Sequence, residues 1–235
     1  MDITLLIGDF YLSSTLINSL LVFAILIIFF IVAGLKINKT DPSKPSGTFV
    51  AMLEFIYSYA TEFVHENVNE QATKYVTFGI TVASYLALAN LVGLFGLTAP
   101  VTNLSITLGL TLVTLGYIIV SGVRSKGIKQ YLKDTYLGDV PKPMLILFIP
   151  INIVGEVSKV ISLTFRLFGN MVSGMLLLGL VMQFFAFLFD ILPSVGWVTI
   201  FVLPLLNGYF DIFAGLMQTF IFCTLMMVFM KAAVE

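Results

Sequence analysis

Long apolar stretches limit what this chain can fold into. Residues 15–35, 75–97 and 104–123 contain no charged side chain. Each has about the 20 residues that a helix needs to cross a hydrocarbon core of about 30 Å. Of all residues, 59% are hydrophobic and 11% charged, whereas soluble domains carry about a quarter charged residues. The sequence therefore predicts an all-α integral membrane protein with one domain over residues 1–235.

Charge, cysteine and motif content exclude several function classes. The 12 Lys and Arg residues are balanced by 13 Asp and Glu, so no basic surface for nucleic acid is expected. The single cysteine, Cys223, cannot form an internal disulfide, and the lone His65 is expected to be a surface residue because a metal site needs more ligands. No G-x-x-x-x-G-K-[ST] loop is present, so no nucleotide site is expected. Neither a cofactor nor a metal is predicted.

The first half of the chain divides at polar breaks. Residues 1–47 are predicted to hold one N-terminal span and a cytoplasmic loop rich in proline and charge. The N-terminus has no basic residue before Lys36, so this span is not expected to be a cleaved signal. In residues 48–70, apolar residues recur every three or four positions, which predicts an amphipathic surface helix. Residues 75–123 are predicted to form a transmembrane hairpin.

The second half contains two apolar segments that are too long to cross a membrane upright. As a helix, residues 144–189 would extend about 69 Å, so the segment must be strongly inclined or broken once. Residues 197–230 would extend about 51 Å, with a bend expected at Pro204. Residues 144–235 are therefore predicted to form two long tilted membrane helices joined as a hairpin.

Basic residues are distributed asymmetrically across these spans. Ten of the 12 Lys and Arg residues fall on the side that the chain reaches after the first crossing, and the opposite side has none. The positive-inside rule then places the N-terminus outside and the C-terminus in the cytoplasm. The ten residues are Lys36, Lys39, Lys44, Lys74, Arg124, Lys126, Lys129, Lys133, Lys142 and Lys231.

The other two cations lie inside the first long segment. Lys159 follows Glu156 by three positions, so the two side chains can neutralise each other on one helix face. Arg166 has no acid nearby, and an arginine at the bilayer centre costs roughly 2.5 to 3.5 kcal/mol. Ser162, Arg166 and Asn170 recur every four residues and form a polar stripe. An intramembrane charge that cannot be neutralised is a functional candidate.

The last helix carries a second set of polar residues. Asn207, Asp211 and Gln218 are separated by four and seven positions and are predicted to share one face. Asn207 and Gln218 suit either interhelical hydrogen bonds or a transport role. Asp211 must pair, protonate or meet water, which makes it a candidate for ion entry or proton relay.

At these residues the sequence resembles subunit a of the rotary F-type ATP synthases. The resemblance includes the order of elements, from the N-terminal span to the two long helices. It therefore covers nearly the whole chain. The shared residues are Pro150, Glu156, Lys159, the block SLTFRLFGNM at 162–171, QTFIF at 218–222, and Asn90 in the hairpin.

The resemblance implies a role for each polar group. Arg166 would face the carboxylates of a rotating c-ring, with Asn170 and Gln218 beside it. Glu156, Lys159 and Asp211 would line aqueous half-channels. Many bacterial relatives have a glutamate nine residues after the arginine, paired with a histidine on the last helix. Here those positions are Met175 and Asp211, so the same relay path is not assumed.

The resemblance also implies the setting of the protein. The expected partners are the c-ring, the b subunits of the peripheral stalk and the lipid bilayer of a bacterial plasma membrane. The transported ion is expected to be H⁺ or Na⁺, and ATP would form elsewhere in the complex. Two alternatives remain at this point: an intramembrane aspartyl protease that uses Asp190 and Asp211, and a standalone secondary transporter. The lack of inverted repeats counts against the transporter.

Overall fold

The computed structural model describes residues 5–7, 10–39, 47–68, 73–95, 97–137, 144–191 and 196–234. Within these residues, five helices are long and apolar enough to cross a membrane. This confirms the helical membrane class that the sequence predicted. The five are Ser14–Asn38, Thr73–Phe95, Leu104–Lys126, Leu145–Phe189 and Ile212–Val234.

Two short strands and eight α-helices make up the described chain, together with short 3₁₀ and π-helical segments. The strands pair in antiparallel orientation before the first helix, a feature that was not predicted from the sequence. The elements are β1 (Leu5–Ile7), β2 (Phe10–Leu12), α1 (Ser14–Asn38), α2 (Thr48–Asn67), α3 (Thr73–Leu91), α4 (Leu104–Lys126), α5 (Ile128–Leu132), α6 (Leu145–Ile191), α7 (Gly196–Tyr209) and α8 (Gly215–Val234).

The turn between α3 and α4 ties the hairpin to α1. The side chain of Asn103 caps α4 by accepting a hydrogen bond from the backbone N–H of Ser105 at 2.9 Å, as asparagine commonly does at a helix start. On α1, the amide of Asn18 donates to the carbonyl oxygen of Thr98 at 2.9 Å. These contacts satisfy polar groups that would be costly to leave unpaired in lipid.

Helix α2 packs against α3 through Val64 and has a second apolar face that the described residues leave uncovered. Phe55 is 72% exposed and Tyr59 61% exposed. The predicted helix is therefore present, ending at Asn67, and residues 69 and 70 lie outside the described residues. Its place at a membrane surface stays a prediction.

Helices α3, α4, α6 and α8 enclose the main core. Its fully buried side chains include Leu86 from α3, Leu163 and Leu167 from α6, and Phe222 and Met226 from α8. The described residues leave the rest of α6 largely uncovered, and the span Leu145–Phe189 has no buried residue in its most apolar window. Helix α6 therefore presents a long outer surface to lipid or to a partner.

The two long segments differ in regularity. Helix α6 runs without interruption for 47 residues, with Pro150 near its start, so the sequence-based alternative of a break is wrong. The second segment is α7, then a π-helical segment at Phe210–Ala214, then α8. The bend was predicted at Pro204, which lies within α7. The change in helix type occurs after this proline, at Phe210–Ala214.

Two glycines allow close packing and a sharp change of direction where α4, α5 and α8 meet. At Gly127, φ is 82°, a conformation suited to glycine that lets the chain leave α4 for α5. A Cβ atom at Gly122 would lie 2.6 Å from Cε2 of Tyr131 and 2.8 Å from the carbonyl oxygen of Ala233. At Gly116, on the same helix, a Cβ atom would meet nothing within 4 Å.

We expect Gly122→Ala to lower the thermal stability of the assembled protein, because overpacking costs about 1–3 kcal/mol. Gly116→Ala is the matched control and should be neutral or stabilising, since alanine favours a helix more than glycine does. Thermal unfolding of the purified complexes measures both. Equal melting temperatures for the two variants would contradict the close approach at Gly122.

Candidate functional site

The polar stripe predicted on the first long segment lies on the outer face of α6. Ser162, Arg166, Asn170 and Ser173 are exposed. Between them, Leu163 and Leu167 are buried against the core, and so is Thr164. Helix α6 therefore buries one face and presents these four polar side chains on the face that the described chain leaves open.

Arg166 has no hydrogen-bond or ion-pair partner within the described residues. Its guanidinium cannot lose its charge. A fixed and unpaired cation is costly among apolar side chains, and Phe165 beside it is 57% exposed. This arrangement requires water or an acidic group from outside the described chain at the Arg166 position.

Asn170 and Gln218 meet one helical turn away from Arg166. The side-chain nitrogen of Asn170 donates to Oε1 of Gln218 at 2.5 Å, which links α6 to α8. Gln218 is 3% exposed, and its Nε2 has no partner within the described residues. The structure thus brings together two residues that the sequence analysis placed on different helices.

Glu156 and Lys159 form the ion pair that their spacing predicted. Nζ of Lys159 lies 2.5 Å from Oε1 of Glu156 and 5.5 Å from the ring centroid of Phe229 on α8. Lys159 is eleven positions before Asn170, and Phe229 is eleven positions after Gln218. Helices α6 and α8 are therefore antiparallel and keep one register between the two contacts.

A first cavity, of about 300 Å³, lies beside the Glu156–Lys159 pair. We call it the basic-end cavity because Lys126 at the end of α4 pairs with Asp134 on its wall at 3.5 Å. Burial, and to a smaller extent the charge of Glu156, raises the pKa of Tyr131 above its usual value, so this phenol stays protonated at neutral pH. Asn152 and Thr135 add further polar groups to the wall.

A second cavity, of about 330 Å³, lies near the α3–α4 turn. We call it the loop-end cavity. Its wall includes Thr98 and Thr102 from the turn, Asn170 and Met175 from α6, and Ala214 from the π-helical segment. Asn170 thus lines this cavity while its amide contacts Gln218.

Arg166 lies between the two cavities along α6. The helix contributes residues 152–159 to the basic-end cavity and residues 170–182 to the loop-end cavity. At 1.5 Å per residue, Arg166 is about 10 Å beyond Lys159 and about 6 Å before Asn170. The cation therefore lies between two cavities at different heights on the same helix.

The side chains of Asn207 and Asp211 lie outside the described part of the structure, although their backbone is described. Asp211 is within the π-helical segment Phe210–Ala214. A π-helical turn contains more residues than an α-helical turn, so the α-helical spacing that predicted one face for Asp211 and Gln218 does not hold across it. Which face Asp211 occupies stays a prediction.

Sequence reasoning gave no role to two buried polar residues near this site. Asn90 and Thr219 are 1% and 7% exposed and contact each other between α3 and α8. Asn90 entered the sequence analysis only through the resemblance, although an asparagine inside an apolar span is itself a signal. In the described ranges, no three His, Cys, Asp or Glu side chains converge as a metal site.

Comparisons with known proteins identify relatives that match most of this chain. The ATP synthase subunit a of Mycoplasma pneumoniae is 28% identical over 214 residues, covering 87% of this chain and 73% of that protein. The ATP synthase subunit a of Bacillus velezensis is 30% identical over 235 residues, covering 94% and 93%.

A relative with a stated ion is also similar. The sodium-ion-specific ATP synthase subunit a of Propionigenium modestum is 29% identical over 200 residues, covering 78% of this chain and 63% of that protein. The family model for the ATP synthase A chain matches residues 16–231, a range that contains both long segments and the α3–α4 hairpin. This chain belongs to the ATP synthase A chain family.

Proposed function

We propose that this chain is the ion-translocating stator subunit of an F-type ATP synthase. In this role it passes ions between two aqueous half-channels and the carboxylates of a c-ring, and so couples ion flow to rotation and ATP synthesis. The observation that carries the proposal is the position of Arg166. It is an exposed cation on the open face of α6, unpartnered within the described residues and located between two cavities.

The charge of Arg166 explains how it could act as a gate. A ring carboxylate crosses lipid in a neutral form, either protonated or ion-bound, because an isolated charge is costly there. A nearby fixed cation favours the charged carboxylate. The ion therefore leaves the ring on reaching Arg166, and the same positive charge repels a cation that would pass directly between the half-channels.

The two cavities supply the half-channels in this proposal. The basic-end cavity, with Glu156 and Lys159, would open to the cytoplasm, because the positive-inside rule places the basic end of α4 there. The loop-end cavity would open to the outside. Asp211 belongs to the π-helical segment that lends Ala214 to this second cavity, which supports a role for Asp211 in ion entry.

The open face of α6 is the surface that would contact the c-ring. Its polar stripe of Ser162, Arg166 and Asn170 is flanked by exposed apolar residues, which suits a partner within the membrane. The peripheral stalk b subunits would hold the chain against rotation in a bacterial plasma membrane. Each elementary charge that crosses 100 mV provides about 2.3 kcal/mol, and several ions per turn would supply the free energy for ATP formation elsewhere in the complex.

The transported ion is H⁺ or Na⁺. The sodium-specific relative from Propionigenium modestum keeps sodium open, and protons are the default. ATP-driven transport by the intact complex, measured with and without sodium, separates the two ions.

Family membership favours the stator role over a standalone transporter and over a protease, whose proposed Asp190 and Asp211 side chains lie outside the described residues.

We expect Arg166→Ala to abolish ion-coupled ATP synthesis while the complex still assembles. The residue lacks a partner within the described chain, so its removal leaves no buried group unpaired. Arg166→Lys should fail as well, because an ammonium is a compact, strongly hydrated charge whose pKa falls on burial. ATP synthesis in membrane vesicles, normalised to assembled complex, is the measurement.

Arg124→Ala is the matched control for Arg166→Ala. Arg124 is exposed at the end of α4 and is the only other arginine of the chain. It lines neither cavity, so its loss should leave coupled synthesis close to normal. Normal synthesis by an assembled Arg166→Ala complex would falsify the gate.

We expect Asp211→Asn to slow ion transport without reducing assembly. The substitution removes the charge and keeps the shape of the side chain, so it weakens an ion-entry group but disturbs packing little. If Asp211 instead bonds a buried structural partner, its change would destabilise the complex by leaving that partner unpaired. Transport at saturating driving force and the yield of intact complex distinguish the ion-entry role from the structural role. Unchanged transport at normal yield would exclude Asp211 from the ion path.

A further inference from the structure

A buried asparagine on α3 contacts the last long segment where its π-helical part ends. Nδ2 of Asn90 donates to the carbonyl oxygen of Gly215 at 3.0 Å and lies 3.4 Å from Oγ1 of Thr219. The hydroxyl of Thr219 donates to the same Gly215 carbonyl at 2.9 Å. The two amide hydrogens and the one hydroxyl hydrogen can serve all three contacts at once.

Glycine at position 215 makes this contact possible. A Cβ atom at Gly215 would lie 2.8 Å from Cβ of Asn90, closer than carbon atoms approach without a shift of the helices. Small residues allow such close helix packing in membranes. Helices α3 and α8 therefore approach each other closely at the residue where α8 begins.

The contact at Gly215 is important because the chain changes from π-helix to α-helix immediately before this residue. The π-helical segment Phe210–Ala214 alters the number of residues per turn, and such an insertion lets the two parts of a helix rotate or bend relative to each other. A side chain from a neighbouring helix that holds Gly215 and Thr219 fixes where α8 starts. It also fixes the rotation of α8 about its axis.

The residues of α8 that follow Gly215 contact the polar stripe of α6. Gln218 precedes Thr219, lies one turn beyond Gly215 and accepts the hydrogen bond from Asn170. Asn170 is in turn one helical turn from Arg166. A continuous set of contacts therefore runs from α3 through the start of α8 to the outer face of α6.

We propose that Asn90 is a positioning residue for ion translocation, which sets the rotation and depth of α8 at which Gln218 meets Asn170 beside Arg166. The inference rests on the proposed function, because it assigns Asn90 a part in the same site. Asn90 acts from α3, behind α8, and contacts no group of the polar stripe in the described structure. Its effect passes through Gly215 and Thr219.

The geometric part of the proposal is testable without any ion transport. In the intact complex with Cys223 replaced by serine, a cysteine pair at Asn170→Cys and Gln218→Cys reports the contact through reaction with a short bifunctional methanethiosulfonate. Adding Asn90→Ala should slow cross-linking by about fivefold, the factor that corresponds to one net buried hydrogen bond. Thr81→Ala is the matched control and should not change the rate, since Thr81 is exposed on α3 and bonds Thr77 within the helix.

The functional part uses complexes that keep Asn170 and Gln218. Asn90→Ala should slow ATP-driven ion transport per assembled complex by about the same factor, whereas Thr81→Ala should leave it unchanged. Normal transport by assembled Asn90→Ala complexes would overturn the proposal. Slow transport with unchanged cross-linking would also overturn it, because Asn90 would then line the ion path rather than position α8.

If Asn90→Ala prevents assembly, Thr219→Val takes its place in both measurements. Valine keeps the volume of threonine and removes the hydroxyl that bonds Gly215 and Asn90. Slower cross-linking and slower transport in this variant support the positioning role, and an unchanged rate in either overturns it. The cross-linking rate does not depend on transport, so normal synthesis by Arg166→Ala complexes, which would defeat the proposed function, leaves this geometric result intact.

Discussion

The structure is organised around one cation that cannot be neutralised within its own helix. Arg166 lies in an apolar segment, and the described chain offers it no counter-charge. A charge in this position is costly unless something outside the chain meets it. The remaining helices fit this requirement, because α4 and α8 cover the back of α6 and leave the face with Arg166 open. The packing of the chain thus leaves this fixed charge on a face that the described residues do not cover.

Much of this arrangement could be predicted from residue spacing and apolar length alone. The uncharged runs gave the spans, and the three-residue spacing of Glu156 and Lys159 predicted their ion pair. The four-residue steps from Ser162 to Asn170 predicted one exposed stripe on α6. These features depend on the period of a single helix, which the sequence contains directly. The family resemblance added the expectation that Asn170 and Gln218 lie beside Arg166.

Features that depend on tertiary packing or on a change of helix type could not be obtained this way. The π-helical segment at Phe210–Ala214 breaks the α-helical period, so spacing could not relate Asp211 to Gln218. The two cavities form where several helices meet, and no local pattern encodes such a space. The contact of Asn90 with Gly215 joins residues 125 positions apart. The pairing of β1 with β2, by contrast, did have a local signal, because Gly8 and Asp9 stand between two short apolar runs and this dipeptide is typical of hairpin turns.

The hydrogen bond between Asn170 and Gln218 has a consequence for operation under changing conditions. Both groups are carboxamides, which neither gain nor lose protons over the range in which carboxylates and imidazoles titrate. The tie between α6 and α8 at this point therefore keeps the same strength whether the compartments on the two sides are acidic or alkaline. In the proposed role of this chain, the spacing of α6 and α8 at this point would therefore not change with a difference in pH across the membrane.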